Sequence, residues 1–203
     1  MLKNMFMLKS LRLNRLTTAQ KIAIWTTILV VIDQIVKIMI HTHLQVGEKI
    51  SVFPWFNLCY VENPGFAFGM QLGGDGGKIV LSLFRLVMIG AIIYGIRHLL
   101  RKRADIPKGV IVGAVLILAG AIGNMVDSMF YGLFIEEQNT GFLTGRVIDM
   151  IHLPLFKWES APEALNFLVG SDGYFFGAIF NVADAYISCA VVYLLIFHYK
   201  FFK

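Results

Sequence analysis

Four runs of this chain are apolar over close to the 20 or so residues a helix needs to cross a bilayer, at 21–40, 79–96, 108–127 and 176–198. In hydrocarbon each backbone N–H and C=O must be satisfied inside its own segment, so such runs fold as helices. The remaining chain is then arranged around their ends. Composition agrees: 57% of the 203 residues are hydrophobic and the mean hydropathy is +0.70, outside the range of an ordinary soluble domain. Four helices in this length leave a single membrane domain, 1–203, and no second globular one. The first run contains Asp33 and Lys37 and lacks a small-residue cleavage site, so it reads as a retained span and not as a signal peptide.

Orientation follows from the cations. Twelve of the 18 Lys and Arg residues fall in the N-terminal tail, the connection between the second and third runs, and the C-terminal tail. The positive-inside rule makes both termini cytoplasmic and places segments 41–78 and 128–175 outside. The net charge of +5 reflects these anchors and suits an anionic leaflet. No nucleic-acid motif is present. Cys59 and Cys189 read as two unpaired thiols.

The first outer segment carries Lys49–Glu62, rich in β-branched and aromatic residues, which reads as one or two strands broken at Pro54. Asn63-Pro64-Gly65 signals a turn. Phe66–Gly69 and the glycine cluster 73–77 lead into the second span. In the second outer segment, residues 130–143 read as an irregular loop and 145–152 as extended. Pro162–Val169 reads as a short interfacial helix with Pro162 in its first turn.

The polar residues are distributed unevenly. Asn124 with Asp127, and Asn181 with Asp184, each present an amide and a carboxylate three positions apart, neighbours on a helical face. Topology puts Asp33, Asn124, Asp127, Asn181 and Asp184 at one depth, beside the outer segments that carry Asn63 and Asp149. A carboxylate at membrane depth is costly and points to function. The bland readings are a pair between Asp33 and Lys37, a cap-like role for Asp127, interhelical glue from Asn124 and Asn181, and a turn role for Asn63. Arg85 reads as a snorkelling residue or the partner of a buried acid.

Two close carboxylates cannot both ionise cheaply, so one keeps its proton and the pair contains an acid and a base. That chemistry is what an aspartic peptidase needs. A zinc motif His-Glu-x-x-His and a Gly-x-Ser-x-Gly elbow are both missing, and the five histidines show no ligand spacing. No metal or cofactor is expected. On the residues alone, Asp127 competes with Asp149 and Asp184 for membership of the pair.

Five blocks then match a known pattern: Asp33-Gln34-Ile35-Val36-Lys37, Asn63-Pro64-Gly65-Phe66-Ala67-Phe68, Gly120–Asp127, Gly145–Ile151 and Phe180–Asp184. In this order they resemble the lipoprotein signal peptidase (signal peptidase II) family over roughly 21–198. The resemblance implies an all-α membrane protein with four transmembrane helices, a small extracytoplasmic β cradle and the short interfacial helix. It implies a membrane-embedded aspartic endopeptidase of the inner membrane that removes signal peptides from diacylglyceryl-modified prolipoproteins before the lipidated cysteine. Asp149 and Asp184 would be its catalytic dyad. Asp33, Lys37, Asn63, Gly65, Asn124, Asp127, Arg146 and Asn181 would bind substrate or support the site. Partners would be lipidated prolipoproteins and membrane lipids, with the enzyme a monomer.

This chain departs from the family pattern at Ser128, where arginine is usual, with Arg146 a candidate for the missing role. Pro64, Ala185 and Val36 also differ, and the second outer segment is longer. The rival class is a small proton- or ion-coupled transporter, whose polar path would run through both halves of the spans.

Overall fold

The first span begins where Thr17 caps it. The Thr17 hydroxyl accepts the N–H of Gln20, and the Gln20 side chain returns to the Thr17 N–H, a reciprocal box that satisfies two orphan donors. The helix that follows, α1, is Thr18–His43. In the computed structural model, residues 16–65, 74–158, 162–163, 169–170 and 173–203 are described.

After α1 the chain forms β1 (Lys49–Phe53) and β2 (Phe56–Asn63), reversing through Pro54 and Trp55 as expected. Helix α2 is Gly74–Lys102, so the glycine cluster is already helical from Gly74. Pro107, which has no N–H to leave unsatisfied, immediately precedes α3, Lys108–Val126. The helix does not stop at its expected end. It widens into a π-turn at Asp127–Tyr131 and closes with one helical turn at Gly132–Phe134, where the sequence suggests an irregular loop. Strand β3 (Val147–His152) follows, then β4 (Phe156–Lys157), β5 (Tyr174–Phe175) and β6 (Ile179–Phe180). The last helix, α4, is Val182–Phe197, followed by a short 3-10 turn at Tyr199–Phe202. The middle of the expected 162–169 helix lies outside the described residues.

Helices α1, α2 and α3 are long and apolar enough to cross a membrane; α3 with its extension reaches Phe134. Helix α4 is apolar but has 16 residues, a rise of about 24 Å. The expected span 176–198 is therefore helical only from Val182, because β6 takes the chain before it into the sheet.

Helix α3 is the centre of the bundle and packs on α4, α1 and α2. Small residues allow this close approach. A Cβ at Gly120 would collide with the Ala183 carbonyl and with Ile187, and one at Gly123 would meet the Asp33 carboxylate. The outward faces of α1, α2 and α4 leave Trp25, Ile35, Val87, Tyr94 and Leu195 exposed, as expected of side chains solvated by lipid.

One end of the bundle carries an antiparallel sheet in the order β1-β2-β3-β6. Its register shifts between Leu58 and Val61 on β2, a bulge that adds local twist. Ile40, Tyr60, Tyr131, Ile135, Ile148 and Met150 form an apolar cluster joining the end of α1 to β2, β3 and the turns after α3. Strand β3 is thus buried on both faces, and Asp149 in its middle is only 3% exposed.

Candidate active site

The site is assembled where β3, the N-terminus of α4 and the end of α3 meet. Strand pairing brings Asp149 opposite Val61 on β2, and β6 runs beside β3 before the chain turns into α4. Asn181 is the N-cap of that helix. Its side-chain oxygen accepts the Asp184 N–H at 2.9 Å, and the Asp184 carboxylate receives the Asn181 N–H. The Asn-x-x-Asp spacing is therefore a capping box here and not a shared helical face. Asp184 sits in the first turn of α4, not deep in a span, at the helix end that favours negative charge.

Three asparagines aim their amides at the two carboxylates, and each is oriented by a donor on its own oxygen. Asn181 Oδ1 is held by the Asp184 backbone, so its Nδ2 donates to Asp149 Oδ1 at 2.7 Å. Asn63 Oδ1 accepts the Gly65 N–H at 2.9 Å, so its Nδ2 donates to Asp149 Oδ2 at 3.0 Å. Asn124 Oδ1 accepts from Lys37 Nζ at 3.1 Å, so its Nδ2 donates to Asp184 Oδ1 at 2.7 Å. Gly65 earns its place by conformation: its φ of +99° closes the turn that aims Asn63, and a Cβ there would strike Leu81. Both Asp149 oxygens thus have a fixed donor, and one asparagine touches both acids.

Burial comes first, and the nearby Asp184 charge second, in pushing Asp149 up to about 7; the bonds from Asn63 and Asn181 pull the other way. Burial beside a second acid thus favours the protonated form of Asp149 well above the usual carboxylate range.

A second layer fixes the first. Lys37 Nζ lies 2.9 Å from Asp33 and 2.7 Å from Asp127, all three side chains fully buried. With the bond to Asn124, the ammonium has three oxygen partners. The other Asp33 oxygen accepts the Ala183 N–H at 2.9 Å, tying α1 to the first turn of α4. Asp33 does pair with Lys37, as its bland reading has it, yet the same carboxylate also positions the helix that carries Asp184. Asp127 falls in this triad and makes no hydrogen bond to Asp149 or Asp184.

Sequence reasoning did not single out Gln34 or Tyr131. Gln34 Nε2 donates to Asp127 at 2.8 Å and to the Gly123 carbonyl at 3.2 Å, while its oxygen accepts from Tyr131 at 2.9 Å. The available signal was a polar Gln inside an apolar span. Arg146 pairs with Glu62 at 3.0 Å, with its side chain 43% exposed. The hydroxyl of Ser128 instead receives Arg85 from α2, at 2.6 Å. Among the described residues no group of His, Cys, Asp and Glu has the arrangement to hold a metal ion.

A family model described as "Signal peptidase (SPase) II" matches residues 25–200. A lipoprotein signal peptidase of Porphyromonas gingivalis is 38% identical over 197 residues, spanning 91% of this chain and 85% of its own. One of Amoebophilus asiaticus is 34% identical over 176 residues, spanning 82% of this chain and 72% of its own. Two solved bacterial membrane enzyme structures share the fold. One has a TM-score of 0.58 at 24% identity, covering 87% of this chain and 86% of its own. The other has 0.57 at 23%, covering 87% and 91%.

Proposed function

The chain belongs to the signal peptidase II family, and on that footing we propose that it is a membrane-embedded aspartic endopeptidase that cuts diacylglyceryl-modified prolipoproteins just before the lipidated cysteine. The family supports a protease that removes signal peptides from lipoproteins. The aspartic mechanism rests on one observation: Asp149 and Asp184, 35 residues apart, are bridged by a single asparagine in a buried network.

In the ground state the pair carries one proton. The substrate enters as an apolar segment among the helices, with its acyl chains in the bilayer, which sets the scissile bond at the depth of the pair. The ionised carboxylate takes a proton from water as the oxygen attacks the scissile carbonyl carbon. The protonated partner hydrogen-bonds the carbonyl oxygen and stabilises the charge that develops there. Collapse of the tetrahedral intermediate breaks the C–N bond. A proton from the pair passes to the leaving amine of the cysteine, and the pair is left with one proton again. Asn63, Asn124 and Asn181 hold the carboxylates in register, and the Asp33–Lys37–Asp127 triad holds the helices that carry them.

The distribution of Lys and Arg supports cytoplasmic termini in the bacterial inner membrane, with the sheet and the acids at the outer face. The buried charges Asp33, Lys37, Asp127 and Asp149 gather at the sheet end, which favours a one-sided site over a transport path.

The test is incubation of the purified protein with a diacylglyceryl-modified prolipoprotein and mass measurement of the products. Cleavage before the modified cysteine, with the unlipidated control left intact, supports the proposal. An intact lipidated substrate, or cleavage elsewhere, contradicts it.

A further inference from the structure

Charges buried at the sheet end of the bundle must balance, because unpaired charge is expensive there. The Lys37 ammonium serves two carboxylates, Asp33 and Asp127, and that triad is left with one net negative charge. On β2, Glu62 is matched by Arg146. Asp149 and Asp184 hydrogen-bond to asparagine amides, which carry no charge. Among the described residues neither forms a salt bridge.

Arg85 is a further cation at this end of the bundle, bonded to the residue that follows Asp127. It is the one charged residue of α2 between Lys78 and Arg97, and its Nη1 donates to Ser128 Oγ at 2.6 Å. Ser128 donates in turn to the Asn124 carbonyl at 3.0 Å. Asn124 is the residue whose amide holds Asp184. A neutral hydroxyl satisfies one of five guanidinium donors and none of its charge. Arg85 is thus linked to Asp184 through two side chains, Ser128 and Asn124. Since Lys37 already neutralises Asp127 in part, the charge left for Arg85 to balance is that of the Asp149–Asp184 pair.

We propose that Arg85 is a positioning residue for this pair: from α2, through Ser128 and its field, it keeps one of the two carboxylates ionised while the other stays protonated. This rests on the reading of Asp149 and Asp184 as the cleaving pair. The assignment gives α2 a part in the chemistry. It also accounts for a guanidinium where a lipid-facing helix would carry leucine. Ser82, one turn earlier, donates to the Leu143 carbonyl at 2.7 Å and provides a docking contact with no charge.

The experiment is the pH profile of kcat for cleavage of a diacylglyceryl-modified prolipoprotein by the full chain. Wild type is compared with Arg85→Gln, Arg85→Lys, Ser82→Ala and Asp184→Asn. Loss of the cation makes both carboxylates harder to ionise, so both limbs of the Arg85→Gln profile move up by about one pH unit. On the acid limb kcat then falls about tenfold, with KM changed less than about threefold. Arg85→Lys returns the limbs towards wild type, and Ser82→Ala leaves them in place. Should Arg85→Gln not fold, Ser128→Ala reads the same property, with a smaller shift in the same direction. Tyr60 and Tyr131 also face this end of the bundle, and burial pushes the Tyr60 phenol up, alkaline of this range.

Limbs that stay put in Arg85→Gln, or in Ser128→Ala where the former cannot be made, overturn the proposal and leave Arg85 a docking residue. So does a loss confined to KM. Asp184→Asn separates the two readings. If it still cleaves, the pair itself is misassigned. If it is inactive while the Arg85→Gln limbs do not move, only the role of Arg85 fails.

Discussion

Asn181 Nδ2 donates to Asp149 Oδ1 at 2.7 Å, while the same side chain caps the helix that begins at Val182 and carries Asp184 in its first turn. One residue thus sets the geometry between two acids that lie on a strand and on a helix. Helix capping and carboxylate alignment are coupled through it.

The two roles can be separated by substitution. Serine caps a helix well but is too short to reach Asp149. Asn181→Ser is expected to unfold at nearly the wild-type temperature and to lose about a hundredfold in kcat. Asn181→Ala loses both roles and is expected to be about 1 kcal/mol less stable as well. Thermal unfolding in detergent and a cleavage assay read the two quantities separately.

Acidity gives a second prediction. Burial first and the Asp184 charge second push Asp149 up to about 7, whereas an unfolded Asp titrates near 3.9. The folded state binds the proton more tightly. Its stabilisation is fully present below about pH 4 and is lost as pH rises through about 7. Thermal stability of the wild type should fall from pH 5 to pH 8, and Asp149→Asn should show a flatter dependence. Cleavage should decline on the alkaline side as the shared proton is lost.

The triad predicts an asymmetry. Lys37→Met leaves Asp33 and Asp127 buried without their cation, and breaking a buried pair in this way costs about 3–5 kcal/mol. The variant should accumulate poorly in membranes. Adding Asp33→Asn should recover part of the loss, because it removes a carboxylate while keeping an acceptor for the Ala183 N–H. Membrane content and unfolding temperature measure both variants.

Helix packing predicts a loss of rate without a loss of insertion. A side chain at Gly120 meets the Ala183 carbonyl at the start of α4. Gly120→Val should push that turn away from α3 and carry Asp184 with it. We expect about a hundredfold lower kcat from a displacement near 1 Å. Unchanged turnover in a folded Gly120→Val protein would show that this contact does not set the alignment.

The spans and the two strands split at Pro54 were legible because their signals are local: a run of apolar residues, or β-branched residues ending at a turn. So was the gathering of Asn63, Asn124, Asp149, Asn181 and Asp184 at one depth, which follows from topology. The end of α3 was not legible. After Asp127 and Ser128, residues 129–134 are apolar and aromatic, and no sequence period separates a π-turn from a loop there. The turn is settled by tertiary contact: a Cβ at Gly145 would run into the backbone of Asp127 and Tyr131. The start of α4 was misjudged because β6 and the helix share one unbroken apolar run, and only the capping box marks the boundary. The bond between Arg85 and Ser128 spans 43 residues and two helices, so neither position announces the other.

The central claim is that Asp149 and Asp184 act as one acid–base unit. Its most direct measurement is single-turnover cleavage of a diacylglyceryl-modified prolipoprotein by wild type, Asp149→Asn and Asp184→Asn, each first shown to be folded. Both variants should bind substrate and lose cleavage by at least about a thousandfold. A folded variant of either kind that cuts at close to the wild-type rate would contradict the account.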